Sequence, residues 1–539
     1  MSNRVFGSLL LAALGVYLLG MRVDVMEVDA AQYAEMSWEM LTTGNYLQVY
    51  NCGKPYLDKP PLLFWLNALS FFLFGISNFS YKLPSLLFAL LAIYATYRMA
   101  KHFYDEPVAR LSAVLLATTQ ALFLMTNDVR TDTMLTGAVV FAVWQWVLYF
   151  EEGKWENLLL GSAGVALALL AKGPIGLIAA GAALLPHLIL KKQWKQIFDA
   201  KLFVAGFVIA IFLLPMSIGL YQQWGIKGLR FYFWTQSFGR ITGESEWNNN
   251  PDTFFLLHTT AWAIAPWTIF LLIGWVSGLY NLIKMRFVSW SRKEFVTVSG
   301  FTIVLLLLSL SRYQLSHYVY VLLPFAAVIA AQCIYDRYYR NEKKTACTWI
   351  QTLVCIALLA IAAALYYSLT AGNALALGVL VACCAATVFA FIKFRDIILT
   401  SATTAIGFNL LLSAFYFPSI LKYQPGNDFG RYVREHITKG SRLVMYHTVS
   451  DFSTAFYARQ IEIPVIWTKE DFSQKLKEYS ELFVIAAPYG LQQLNEENIG
   501  YEIIEERLAY PVSRLSYRFL NPATRKEACS TVYLLKVKS

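Results

Sequence analysis

Charge is what this sequence has least of. Of its 539 residues only 15% are charged, against 57% hydrophobic, which leaves too little polar surface for a soluble protein of this length. Cysteine is sparse as well. Of the seven, Cys333, Cys347, Cys355, Cys383 and Cys384 lie in or beside apolar runs, where a thiol behaves as a small hydrophobe. Only Cys52 and Cys529 stand in polar surroundings, so a pair between them is the one disulfide to expect. Without a CxxC or a Cys/His cluster, no structural zinc site is indicated. Gly-rich phosphate loops are missing, which removes nucleotide-binding roles. Internal repeats and low-complexity linkers are missing too. No small-x-small cleavage site precedes Met21, so the apolar run that follows Arg4 is expected to stay as a first span.

Long hydrophobic runs are what the chain does have. They fall near 5–21, 62–77, 83–100, 108–125, 134–150, 156–171, 173–190, 201–219, 260–281, 295–311, 317–336, 347–368, 373–392 and 398–417. This is the pattern of an α-helical polytopic membrane protein. A formal charge of +10 would suggest nucleic acid in a soluble domain. Here the Lys and Arg sit in short loops between apolar runs, so they set orientation toward the cytoplasm, with anionic lipid as a secondary partner.

Loop parity then fixes the topology. Arg4, Lys101 with Arg110, the run 191–201, 284–293, 337–344 and 393–395 should all face the cytoplasm. They can do so only if one segment between Met21 and Lys101 fails to cross. The segment 62–77 is short, begins at Pro60-Pro61 and holds Trp65 and Asn67 before Gly75, so it is expected to lie on the outer face as a juxtamembrane or re-entrant helix. About thirteen spans remain, with the N-terminus inside.

One consequence is chemical. The loops 22–82, 126–133, 171–173, 220–259 and 312–316 all open on the extracytoplasmic side, and each holds ionisable residues. The first is the richest, with Asp29, Glu35, Glu39, Lys54, Asp58 and Lys59 interleaved with aromatics. Charge beside a bilayer is costly unless solvated or used, so this loop is the leading candidate for an active site.

Four residues are the catalytic candidates: Asp29, Asp58, Lys59 and Asp132. Asp29 precedes an amphipathic helical pattern, where it either caps the helix or serves as an oriented, ionised base; both can hold. In Asp58-Lys59-Pro60-Pro61 the prolines fix the backbone, so the ammonium is aimed, and Lys suits a phosphate oxygen. Asp58 either pairs with Lys59 or ligates a metal. Asp132 stands before Thr133, where capping explains it cheaply, but it shares a membrane face with Asp29. Lys172 interrupts an apolar stretch, either snorkelling or binding an anion. Arg240, Arg312, His317 and Tyr318 complete the ionisable and aromatic outer edge. Arg312 is suited to bidentate phosphate binding, while Tyr318 alone would be part of an aromatic belt. His258 alone is more often structural than a ligand.

After Tyr423 the composition changes. Residues 442–446, 461–466 and 482–486 read as short buried strands, and 427–437, 451–458 and 469–479 as helices with Asp451 as an N-cap. Alternation of this kind implies a small α/β domain with a mainly parallel sheet. The chain is therefore expected to divide into a membrane domain at 1–420 and a soluble domain at 421–539.

Two function classes fit an outward carboxylate cluster with cations in a membrane protein. Transfer of a group from a lipid phosphate needs a base for the acceptor and cations for the leaving phosphate. A secondary transporter of an anionic solute is the alternative. Transporters place their ionisable residues near the midplane, often in repeated halves, and neither feature is seen.

The motifs Asp29-x-x-x-Tyr33-Ala-Glu35 with Glu39-Met40, Asp58-Lys59-Pro60, Trp65, Leu73-Phe-Gly75, Asn78-Phe79, Asp132, Lys172-Gly173, and Leu315 with Tyr318 are similar to those of a known family. The chain resembles the multi-span glycosyltransferases of GT-C fold in the protein O-mannosyltransferase superfamily. It is most similar to the branch that moves 4-amino-4-deoxy-arabinose from undecaprenyl phosphate to lipid A. The likeness covers the membrane part through about residue 190 and thins beyond. It implies an inverting transfer at the periplasmic face of a bacterial inner membrane, from a polyprenyl-phosphate sugar to a glycolipid or protein acceptor. Asp29 would be base or orienting group, Lys59 would sit on the donor phosphate, Asp132 would support them, and Tyr33 would join the substrate contacts. Several positions depart from that branch. Ala30 and Gln32 stand where it carries Glu and Arg, Asp58 where it carries Glu, and Gln314-Leu315-Ser316 where it carries Lys-Leu-Pro. Its metal-binding His falls at about Trp247 or Asn248, which leaves Asp58 and His258 as the only candidate pair for a divalent metal.

Overall fold

Within a bilayer each backbone N–H and C=O must find a partner inside the protein, which forces the apolar runs into helices. The computed structural model describes residues 2–236, 239, 249, 251–284, 294–340, 343–449 and 451–538. All thirteen segments expected to cross are helical in it. Their lengths differ. Among the described residues eight helices are long and apolar enough to cross a membrane, and a ninth is counted if Glu106–Ala117 and Gln120–Asn127, bent by 49°, form one span. Ile175–Leu190, Thr268–Lys284 and Val296–Ser309 have 14 to 17 residues, or ~21–26 Å at 1.5 Å per residue, less than the ~30 Å of hydrocarbon, while Trp155–Lys172 has 18 but carries Glu156 and Lys172 at its ends. The count of about thirteen spans is thus a count of apolar helices, of which eight or nine are both long and apolar enough to cross. The protein is a multi-pass membrane protein.

Four elements frame the polar loop. Helix α1 (Asn3–Gly20) is capped by Ser2, and α2 (Asp29–Thr43) is stopped by Gly44 at φ 70°, a conformation that needs no Cβ. A two-stranded hairpin follows, β1 (Tyr50–Asn51) with β2 (Lys54–Pro55). Helix α3 (Leu62–Phe74) has 13 residues, ~20 Å and too short to span. Its Leu63, Phe64 and Asn67 are buried while Phe72, Leu73 and Phe74 are exposed, so one face packs inward and the other is left for lipid.

Helix α4 (Asn78–Phe103) starts at a reciprocal Ser77/Ser80 capping box. The bent pair α5 (Glu106–Ala117) and α6 (Gln120–Asn127) leads to α7 (Thr131–Glu152), α8 (Trp155–Lys172) and α9 (Ile175–Leu190). A Cβ on Gly137 would lie 2.5 Å from the Phe88 carbonyl oxygen. Only glycine lets α7 approach α4 that closely, the usual device of packed membrane helices.

The C-terminal part holds a five-stranded sheet: β3 (Ser441–Tyr446), β4 (Val465–Ile466), β5 (Glu481–Ala486), β6 (Tyr501–Ala509) and β7 (Ser530–Lys538). The strand order is β4-β3-β5-β7-β6. β3 pairs parallel with β4 and β5, while β7 pairs antiparallel with β5 and β6. The sheet is therefore mixed, which corrects the expectation of a mainly parallel one. The two added strands escaped notice because their burial is partial, so they carry charged residues where β3 and β5 are continuous apolar runs. Alternate residues face two cores: Val444, Tyr446, Leu482 and Val484 with Phe472 and Leu494 on one side, and Leu443, Met445, Phe483 and Ile485 with Phe429 and Val433 on the other. Asp451 precedes the helix Phe452–Ala458 but makes no side-chain cap hydrogen bond.

This part rests directly on the first loop. The Tyr457 hydroxyl accepts from the Val25 N–H at 2.9 Å and donates to Asn78 Oδ1 at 2.7 Å. Arg431 pairs with Asp24, and the Gln424 amide donates to the Val25 carbonyl while accepting from the Glu27 N–H. Cys52 and Cys529 are both free thiols, so the expected disulfide is absent. Cys52 instead lies beside Glu35, which accepts from its main-chain N–H at 3.2 Å.

Candidate active site

Three helix ends converge. Asp29 opens α2, Asp132 stands in the first turn of α7, and Lys172 ends α8. Asp29 and Asp132 thus stand at helix N-termini, which carry partial positive charge. Neither caps its helix. Val28 and Arg130 occupy the cap positions, and no side-chain cap bond forms at either. The carboxylates are used in ion pairs instead.

Arg130 is central to the first pair. Its guanidinium binds Asp29 and, at 2.9 Å, Asp128. Burial raises the Asp128 carboxyl and the charge of Arg130 opposes that rise, so the anion persists only with its partner. Lys172 holds Oδ1 of Asp132 in the second pair, with His317 Nε2 3.8 Å from Oδ2. The Lys172 ammonium also lies 4.0 Å from the centroid of the Tyr318 ring, a cation–π distance. Lys59 pairs with its neighbour Asp58, and the Gln236 amide donates to the Asp58 carbonyl.

These groups share one cavity of about 440 Å³. Asp29, Asp58, Lys59, Asp132, Lys172, His317 and Tyr318 line it, beside an apolar wall formed by Leu135, Ile175, Ile178, Leu307, Leu308 and Val321. Gln32, Tyr56, Gln236 and Tyr313 also line it. Burial, reinforced by Asp58 and Asp29, pushes the Tyr56 phenol well up, so it stays a hydroxyl donor at neutral pH.

Two expected substrate contacts lie elsewhere. Tyr33 is buried with its ring 5.8 Å from Phe64, because its helical position turns it into the core behind Asp29. Arg312 is exposed on a separate shallow hollow with Pro251, Thr253 and Gln314; the turn after Ser309 sends its neighbours Ser311 and Tyr313 to the cavity and Arg312 away. Arg240 lies outside the described residues, as do Trp247 and Asn248. As for a metal, His258 is largely exposed and meets Asp252 at 3.8 Å, whereas Asp58 lines the cavity. No group of three His, Cys, Asp or Glu suited to a metal ion occurs among the described residues. Arg130 is not among the sequence candidates; its place in Asp128-Val-Arg130-Thr-Asp132, a cation amid carboxylates, is the signal that points to it.

Comparison with known proteins bears on family and fold. Residues 58–218 match the family described as dolichyl-phosphate-mannose-protein mannosyltransferase. A protein of Aquifex aeolicus with no assigned function is 30% identical over 325 residues, covering 59% of this chain and 70% of its own. The chain belongs to this family. Another family relative, the undecaprenyl phosphate-alpha-4-amino-4-deoxy-L-arabinose arabinosyl transferase of Pseudomonas aeruginosa, is 26% identical over 280 residues. That match covers 50% of each chain, so the alignment spans about half the length of such curated relatives. In fold, the crystal structure of ArnT from Cupriavidus metallidurans bound to undecaprenyl phosphate superposes with a TM-score of 0.76 at 16% identity, covering 99% of this chain and 98% of that one. AglB, an oligosaccharyltransferase of Archaeoglobus fulgidus, superposes at 0.52 and 13% identity, over 89% of this chain and 69% of that one.

Proposed function

We propose that this chain is an integral membrane glycosyltransferase. It moves a sugar, with inversion, from a polyprenyl phosphate such as undecaprenyl phosphate to a glycolipid of lipid A type or to a protein. One observation carries this reading: two ammonium groups and three carboxylates line a single cavity that has an apolar wall. A phosphorylated lipid requires cations and hydrocarbon side by side, and an alcohol acceptor requires a carboxylate opposite them. The matching mannosyltransferase family and the arabinosyl transferase relative, both named for a sugar on a lipid phosphate, support the same class.

In this mechanism the acceptor hydroxyl attacks the anomeric carbon from the face opposite the phosphate. The new C–O bond forms as the bond to the phosphate oxygen breaks. Asp29 takes the hydroxyl proton, or orients that hydroxyl, while Arg130 holds its carboxylate in line. Lys59 meets the leaving phosphate and Lys172 adds positive potential to the same wall, so charge developing on the polyprenyl phosphate is stabilised. Asp58 and Asp132 fix those two ammonium groups through ion pairs.

The site would open on the periplasmic face of an inner membrane, since the basic loops fall on the opposite side by parity. The membrane part would comprise 1–420, and 421–539 would form a periplasmic domain covering the first loop. Membranes carrying the protein, supplied with a radiolabelled undecaprenyl-phosphate sugar, test this. Transfer should be present, and absent in Lys59→Ala and in Asp29→Asn with insertion unchanged. Counterflow of a soluble anion by proteoliposomes, without transfer, would overturn it.

A further inference from the structure

The C-terminal sheet has a feature that the cavity chemistry leaves unused. β3 is followed through the helix Phe452–Ala458 by β4 on one side, and β5 then crosses to the other side of β3. That reversal makes a topological switch point, where parallel strands leave a crevice beyond their carboxyl ends. Three rings stand there, two from the loops that follow β3 and β4 and one from the first turn of the helix Pro488–Glu496 that follows β5. His447 comes after β3, Trp467 after β4 and Tyr489 after β5.

His447 is the middle of the three. Its ring centroid lies 4.9 Å from Tyr489 and 6.0 Å from Trp467, at interplanar angles of 85° and 76°. The residue is held at φ 51° with its N–H donating to the Ile466 carbonyl at 3.1 Å, so a left-handed backbone that ordinary residues avoid is what aims the ring. Trp467 is 53% exposed and Tyr489 56%, although large aromatic surfaces usually bury themselves. Two carboxylates, exposed Glu470 and half-buried Glu497, act on the neighbouring Tyr446. Glu497 has a buried Oε2 with no hydrogen-bond partner among the described residues. The Tyr446 hydroxyl under His447 is pushed up to about 12, by burial first and then by Glu497, Tyr489 and Glu470.

We infer that this carboxyl edge is a saccharide-binding platform, separate from the cavity. A pyranose ring presents an apolar face of C–H bonds to an exposed aromatic plane and hydroxyl donors to a carboxylate, which is what Trp467, Tyr489 and the exposed Glu470 offer. The carboxylates Glu470 and Glu497 disfavour a phosphate or nucleotide at the same edge. Choosing a saccharide over another flat-faced ligand rests on the glycosyltransferase reading. The platform holds the glycan and does no chemistry on it.

The test uses the full chain in nanodiscs and saturation-transfer-difference NMR with chitobiose and cellobiose as probes. Ring protons should show transfer at millimolar sugar, weakened about tenfold in Trp467→Ala/Tyr489→Ala, since each stacked ring contributes modestly. Lys59→Ala should leave the signal unchanged while losing sugar transfer, which separates this site from the cavity. Wild-type protein that transfers sugar yet gives no saturation, or a double variant that retains the full signal, would overturn the platform and leave the enzyme assignment intact. A spin label at Val449→Cys that meets oxygen rather than an aqueous nickel chelate would mark these rings as a membrane contact, and overturn it too.

Discussion

Arg130 clasps Asp29 from the far side of the loop between α6 and α7, so the proposed base is held by a residue 101 positions away in the chain. The same guanidinium satisfies buried Asp128. Arg130→Ala should therefore lower transfer on the order of a hundredfold by releasing Asp29. It should also destabilise the protein by about 3–5 kcal/mol, because a buried carboxylate loses its partner. Arg130→Lys should recover stability better than rate, since Lys lacks the planar fork. Turnover in membranes and thermal unfolding in detergent measure the two separately.

Lys172 and Asp132 form the other buried pair, joined by His317 at 3.8 Å. Lys172→Met should raise the KM for the lipid-phosphate donor more than it lowers kcat if the ammonium binds the phosphate in the ground state. A double-mutant cycle with Asp132→Asn should show strong coupling, of about 1–3 kcal/mol, because the partners touch. Independent effects would mean that each acts on a different part of the substrate.

The junction of the first loop with the C-terminal part should respond to pH. Burial, with Asp451 beside it, raises the Glu27 carboxyl from 4.5 to about 8, and burial raises Asp451 from 3.8 to about 6. A carboxyl raised in the folded state binds its proton more tightly there than when unfolded. Its stabilising contribution is present in acid and is lost as pH climbs from about 4.5 toward 8, at up to about 1.4 kcal/mol per pH unit for each group. The melting temperature should fall over that range, and Glu27→Gln should flatten the fall above pH 6. A rise in stability with pH there would contradict the burial of Glu27.

Cysteine labelling checks the membrane orientation. In a Cys52→Ser/Cys529→Ser background, Lys54→Cys and Lys439→Cys are exposed positions on the first loop and the C-terminal part. Both should react with an impermeant maleimide from the periplasmic side, and Lys192→Cys should react only from the cytoplasm. Opposite sidedness for Lys54 and Lys439 would break the parity assignment.

Much of the cavity could be read from the sequence because its residues announce themselves locally. Asp58-Lys59-Pro60-Pro61 and Leu-Ala-Lys172-Gly-Pro174 are charges set against apolar or rigid backbone, and such charges converge wherever polar space exists in a membrane protein. Tyr33 and Arg312 lie outside the cavity by direction rather than by region. Whether a side chain enters a cavity depends on a rotation of some 100° per residue along a helix or on a turn's hand, and composition is blind to both. Arg130 was hidden for the reverse reason: its partner Asp29 is remote in sequence. The antiparallel half of the sheet was missed because β6 and β7 bury only part of their surface, and a polar alternating strand resembles a loop when only apolar runs are counted.

A single phenol, that of Tyr457, ties Val25 of the loop between α1 and α2 to Asn78 at the start of α4, while Arg431 grips Asp24. Grafting the segment of a relative that corresponds to residues 421–539 onto this membrane half would sever those ties. Such hybrids would regain order only when the donor brings its own version of residues 23–27 and 78, so the two ends of the chain must be inherited as a matched set.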